Sequence, residues 1–218
     1  MSMIINPYRF AASTALTNGL VAWFSMDEAS GTRTDDVAGY TLTEAGGTIG
    51  STTGKISNGA NMVTADGYHL LNTGDSLTGT NTGTVSAWIN VNSISTTQWL
   101  FQPYTNRDVY IQSSKIKARV WGAIASAITL SSATWYHCVW TWEVGSVSGA
   151  LIINDGTPET NATVDSTASD GNLIIGERGT GTGAFGGIMD EVGIWNRILT
   201  AAEITELYNS GNGIAYPG

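Results

Sequence analysis

Short apolar runs separated by Gly, Ser, Thr and Asn recur from Leu20 to near the end of the chain. Leu20–Met26, Thr84–Val91, Gln98–Gln102, Asp108–Gln112, Ile116–Trp121, Trp135–Glu143, Ala150–Asn154, Leu173–Gly176 and Met189–Asn196 read as strands. In Thr84–Val91, Val85, Ala87, Ile89 and Val91 alternate with Ser86, Trp88 and Asn90. In Ile116–Trp121, Ile116, Ala118 and Val120 alternate with Lys117, Arg119 and Trp121. Period two places such sets on opposite faces of a sheet. Many short strands at near-regular spacing argue for an all-β fold, a two-sheet antiparallel sandwich or jelly roll. Asn154-Asp155-Gly156 adds a tight-turn signal after Ala150–Ile153.

One helix interrupts this pattern, near the C-terminus. Thr200-Ala201-Ala202-Glu203 is a capping box, with Leu199 and Ile204 placed as a hydrophobic staple. Ile204, Leu207 and Tyr208 make one apolar stripe, and Gly211 is the expected stop. No repeat or linker divides the chain. Residues 1–18 read as an N-terminal leader or arm, and 19–218 as one domain.

Composition narrows the partners. Charged residues are only 12% of the 218 and the formal net charge is −9, with no run of Lys or Arg. Counterion release from nucleic acid needs clustered positive charge, as does an anionic membrane surface, so both partners are excluded. No stretch reaches transmembrane length. The N-terminal Met1-Ser2-Met3-Ile4-Ile5 lacks a basic start and is broken at Asn6-Pro7, so no signal peptide is readable. Cys138, the single cysteine, falls in an apolar run and reads as a small buried hydrophobe.

Two segments resemble the laminin-G-like (concanavalin A-like lectin/glucanase) jelly-roll family. Gly19–Glu28, followed by Ser30-Gly31 and Asp35-Asp36, is similar to the family's opening strand and acidic turn. Gly187–Ile204 is similar to its closing strand and short helix, and is the more specific of the two. Thr84–Ile89, Trp135-Tyr136-His137 and Ile152–Gly156 fit further strands and a hairpin, with Asp155 departing from the usual Asn-Gly pair. The resemblance implies two packed antiparallel sheets, one of them concave. It also implies a structural Ca²⁺ tying the first strand to the last, through Asp190 and Asp27 or Glu28. On the residues alone, Asp190 reads equally as a turn cap.

Candidate chemistry is sparse. A glycanase needs two carboxylates set across the scissile bond. Asp190 and Glu191 are adjacent and so face opposite sides of a strand, while Glu143, Glu159 and Glu177 stand alone. His69 and His137 complete no Ser-His-Asp pattern, and His137 reads as structural. The chain is therefore read as non-catalytic. Aromatic rings stack on the C–H faces of sugars, which selects Trp99, Tyr104, Tyr110, Trp121 and Trp142 as ligand-binding candidates. Arg107 is selected with them, and Gln102, Asn106 and Asp108 supply further polar groups. Trp23, Trp88, Trp135 and Trp195 are assigned to packing.

The expectation is a non-catalytic binding or adhesion module, carbohydrate-binding and calcium-stabilised, at an extracellular or virion surface. Its partners would be glycans or other protein chains, with homo-oligomers forming through the N-terminal arm. The alternative is a phage virion structural or decorating protein that uses the jelly roll for assembly or host-glycan contact. A glycoside hydrolase is the least favoured reading.

Overall fold

The computed structural model describes residues 14–62, 67–74, 77–104, 107–120, 123–145, 149–160, 172–179 and 181–218. Its helices are α1 (Thr14–Thr17) and α2 (Ala201–Tyr208). In chain order its strands are β1 Leu20–Phe24, β2 Arg33–Thr34, β3 Thr41–Ala45, β4 Gly50–Thr53, β5 Asn58–Met62, β6 His69–Asn72, β7 Thr82–Val91 and β8 Gln98–Tyr104. They continue with β9 Arg107–Gln112, β10 Lys115–Val120, β11 Ala123–Ala125, β12 Trp135–Glu143, β13 Ala150–Ile153, β14 Glu159–Thr160, β15 Leu173–Ile175 and β16 Gly187–Trp195.

The strands form two antiparallel sheets of eight. One runs β14-β13-β12-β7-β16-β5-β4, with β1 also paired to β16; the other runs β11-β10-β9-β8-β15-β6-β3-β2. This is the expected all-β sandwich with one short C-terminal helix. The expected strands are all present, some shifted by a few residues. The structure adds β2 to β6, β11 and β14, which are short, polar or Gly-rich and carry little apolar alternation. Between the sheets lies a single large apolar cluster that draws Val85, Ala87, Ile89 and Val91 from β7 and Ile116 and Ala118 from β10. These are the residues that alternation places on one face.

The two outer faces differ. On the first sheet, Leu16, Trp23, Val139, Ile152 and Trp195 pack with Leu199, Ile204 and Leu207 of the α2 segment in a second apolar cluster. The helix begins with the expected capping box: the Thr200 side chain accepts from the Glu203 N–H, and the Glu203 carboxylate accepts from the Thr200 N–H. Its end differs from expectation. The left-handed residue is Asn209 (φ 48°), so α2 stops before Gly211. The last residues of the leader belong to this layer. Leu16 is fully buried, and its carbonyl accepts the Trp195 indole N–H at 2.7 Å. Residues 1–13 lie outside the described part of the chain. The outer face of the second sheet carries no helix among the described residues.

Candidate functional site

That second outer face holds the aromatic candidates. In β8 and β9, Leu100, Val109 and Ile111 point into the core, so Trp99 and Tyr110 point outward. They are cross-strand partners, and their rings stack with centroids 5.7 Å apart at 22°. Lys117 of β10 is the next residue in the row, opposite Tyr110. Both rings are half-buried. The polar shell is ordered around them. Asp108 is buried and accepts from the Trp99 indole N–H at 3.2 Å. It also accepts from Nε and Nη2 of Arg119, its cross-strand partner. The Asp108 bond holds the Arg119 guanidinium above its ordinary value, while burial raises the Tyr110 hydroxyl, with Asp108 adding to the rise.

The loop after β15 folds over one end of this face. Arg178 lies over the Trp99 ring, 5.5 Å from its centroid. Gly179 donates its N–H to Gln102 Oε1 at 2.6 Å. Gly183 accepts the Trp99 backbone N–H at 2.9 Å and sits so close to the indole that a Cβ there would lie 2.4 Å from it. At φ 73° it is also in the left-handed region, so both space and backbone call for glycine. At the loop's start, fully buried Glu177 accepts from Gly67 N–H and lies 2.7 Å from His69 Nδ1.

Of the sequence-selected residues, the fold brings Trp99, Tyr110, Asp108 and Gln102 to one face. Tyr104 and Arg107 are backbone partners where β8 ends and β9 begins, but their side chains lie outside the described part. Trp121 and Asn106 lie wholly outside it. Trp142 is corrected: it is a core residue, 1% exposed, with its ring against Trp140 and its indole N–H donated to the Thr80 carbonyl at 3.0 Å. Alternation along β12 puts it on the inner face with Cys138 and Trp140, away from any ligand. The sequence reading missed Lys117, Arg119 and Arg178. The first two were legible as outward positions of β10; Arg178 reaches the site only through the loop.

The expected cation site is built differently from a metal cage. Asp190 Oδ2 accepts from the N–H groups of Lys55 and Ile56, at 2.6 and 2.9 Å, and Oδ1 accepts from Glu191 N–H at 2.9 Å. Asp27 Oδ1 accepts from Asn58 N–H. Calcium takes six to eight oxygens. Here Asp190 already serves three amides, and among the described residues no group of three or more His, Cys, Asp and Glu is placed to hold a metal. These residues do not fit the ion. Asp190 instead caps the turn between β4 and β5, where Gly54 leaves room for its Oδ2.

Burial raises Asp190 to about 7, against the pull of its amide donors. Burial, and then the neighbouring Asp190 charge, raise Glu191 to about 8. Glu191 accepts the Trp23 indole N–H at 2.6 Å. Close by, Ser86 Oγ lies 2.8 Å from His137 Nε2, and His137 packs against both Trp88 and Tyr208, which also stack on each other. Burial lowers His137 to about 3 and raises Cys138 to about 12, so both are neutral at physiological pH. His137 is thus a buried, uncharged part of the layer under α2.

The fold is shared with known structures. Domain 4 of an extracellular arabinanase from Geobacillus stearothermophilus, solved with arabinotriose, superposes with a TM-score of 0.67 at 20% identity, over 86% of this chain and 97% of that one. A Trypanosoma rangeli sialidase in complex with 2,3-difluorosialic acid gives 0.69 at 16% identity, over 92% of this chain and 35% of that one. The receptor-binding domain of botulinum neurotoxin C/D mosaic serotype gives 0.65 at 12% identity, over 88% and 51%. The chain therefore spans about half or less of the latter two structures, and all of the arabinanase domain but a small part. No curated protein matches the sequence. Residues 63–205 match the family model described as the concanavalin A-like lectin/glucanases superfamily. That segment is well over half of the chain and contains β6 to β16, so the protein belongs to the concanavalin A-like lectin/glucanases superfamily.

Proposed function

We propose that this domain is a non-catalytic carbohydrate-binding module whose site is the Trp99–Tyr110 platform. The observation that carries the reading is the pair of half-buried stacked rings on an outer sheet face, braced by Asp108, Arg119 and the Gly183 loop. Because the rings stack on each other, the pair offers a sugar's C–H groups an ordered apolar ridge, with polar groups at its margin for hydroxyls. The bracing holds the rings before binding, which lowers the ordering cost of association. The arabinotriose complex of the arabinanase domain and the sialic acid analogue bound by the sialidase are consistent with saccharides as the ligand class.

Hydrolysis is not part of this reading. Asp108, beside the rings, is paired with Arg119 and bonded to the Trp99 indole, which supports a bracing role for it.

A glycan array followed by titration calorimetry on the best binder, with arabinotriose as one test ligand, checks the proposal. Trp99→Ala should weaken binding about tenfold or more, equivalent to about 1.4 kcal/mol, with little change in melting temperature. Saccharide binding that survives both Trp99→Ala and Tyr110→Ala would place the site elsewhere. Release of reducing sugar from a bound polysaccharide would overturn the non-catalytic assignment.

A further inference from the structure

The ends of the aromatic row carry cations. Arg178 covers Trp99 at one end, and Lys117 stands beside Tyr110 at the other. Among the described residues neither has a carboxylate partner. Lys117 Nζ donates to the neutral amide of Gln112 at 2.9 Å. Arg178 Nε is shielded from solvent and makes no hydrogen bond. Arg119, two residues along β10 from Lys117, is neutralised by Asp108. The placement runs against the chain's overall charge. The protein is formally −9 with nine Lys and Arg residues, yet Arg107, Lys115, Lys117 and Arg119 lie on β9 and β10, and Arg178 on the loop above them.

Two half-buried cations with no counter-charge among the described residues lose hydration and gain little in return from a neutral sugar. An anionic group restores the balance, and a guanidinium fork matches a carboxylate through two parallel hydrogen bonds. The negative charge elsewhere on the molecule opposes an anion only weakly at contact, because screening acts over about 8 Å at physiological salt. The site's own cations therefore decide its preference.

Resting on the saccharide-binding reading above, we propose that the ligand of this site is an acidic oligosaccharide. Its sugar carboxylates meet Arg178 and Lys117 while its C–H groups pack along the Trp99–Tyr110 pair.

Calorimetry on the full chain tests this with five probes: trigalacturonate, its methyl ester, sialyllactose, sulfated maltotriose, which has no carboxylate, and neutral arabinotriose. At least one carboxylated probe should bind about tenfold more tightly than the neutral ones, and this preference should shrink as salt rises. Lys117→Met and Arg178→Gln should each lower the ratio of acidic to neutral affinity and leave the melting temperature in place. Equal binding of acidic and neutral probes would overturn the proposal while sustaining saccharide binding. A tighter fit for the sulfated probe than for either carboxylated one would overturn the carboxylate assignment. Failure of every probe to bind would overturn both readings.

Discussion

Glu191 shows how position decides the chemistry of a side chain. Next to Asp190 in sequence, it sits in a bulge of β16 at φ 50°, is 3% exposed, and bonds the Trp23 indole. Its ordinary value is 4.5 and its value in the fold is about 8, from burial first and the Asp190 charge second. The folded state therefore holds a proton that the unfolded chain has released between these pH values. Its stabilising contribution is full below about 4.5 and is lost as pH rises through about 8. Glu191→Gln mimics the protonated form. It should leave stability at pH 5 nearly unchanged and raise the melting temperature at pH 9 relative to the wild type. Parallel melting curves for the two proteins across pH 5–9 would show that Glu191 does not titrate there. The sequence displayed the Asp190-Glu191 pair but not its burial, which comes from β7 along one side of β16 and β5 and β1 along the other.

At the level of elements, α2 is held by its cap and by an ion pair. Thr200→Ala removes the hydroxyl that accepts from Glu203 N–H and should cost about 1 kcal/mol, a fall of about 2–4 °C in melting temperature. Arg197 does more. It makes two bonds to the Glu203 carboxylate, at 2.9 and 2.6 Å, and donates to the Ala15 and Asn18 carbonyls at 2.7 and 2.6 Å. One guanidinium thus ties the end of the leader to the start of the helix. The Arg197 bonds hold Glu203 down at about 2. A lowered carboxyl stabilises fully above its ordinary value of 4.5, and that contribution is lost as pH falls through about 2. Arg197→Met should cost about 1.5–3 kcal/mol at neutral pH, more than Thr200→Ala, and should flatten the loss of stability between pH 5 and pH 2. Thermal melts of both variants across that range check the order and the slope. The capping box was legible because Thr200 and Glu203 are three positions apart. The Arg197 contacts to Ala15 and Asn18 were not, since they span most of the chain.

Across the whole molecule, the sandwich has one sealed outer face and one left to loops. The first sheet is covered by α2, the chain end and residues 14–18, and it contains Ser86, His137 and Glu191. The second exposes Trp99, Tyr110, Lys117 and Arg119 in strand register. Perturbing each face should therefore separate stability from binding. Trp142→Ala in the core should cost about 3–5 kcal/mol without changing ligand preference in the fraction that folds. Trp99→Ala should do the reverse. Chemical denaturation and calorimetry on both variants check this division, and comparable stability losses would contradict it.

The sequence by itself determined the local and periodic features. The apolar alternation of β7 and β10, the capping box of α2 and the turn at Asn154-Asp155 depend on residues a few positions apart. So did the resemblance of the opening and closing segments to one family. Only the tertiary structure decided which carboxylates are capped and buried, which tryptophans are core, and that Arg178 lies over Trp99. Trp99 and Trp142 are alike as residues in strands. They differ because one faces the other sheet and the other faces the open side, an assignment made by strand pairing over long separations. The short strands β2 to β6 escaped sequence reading for the same reason: their short runs become strands only when a neighbouring strand supplies the hydrogen bonds.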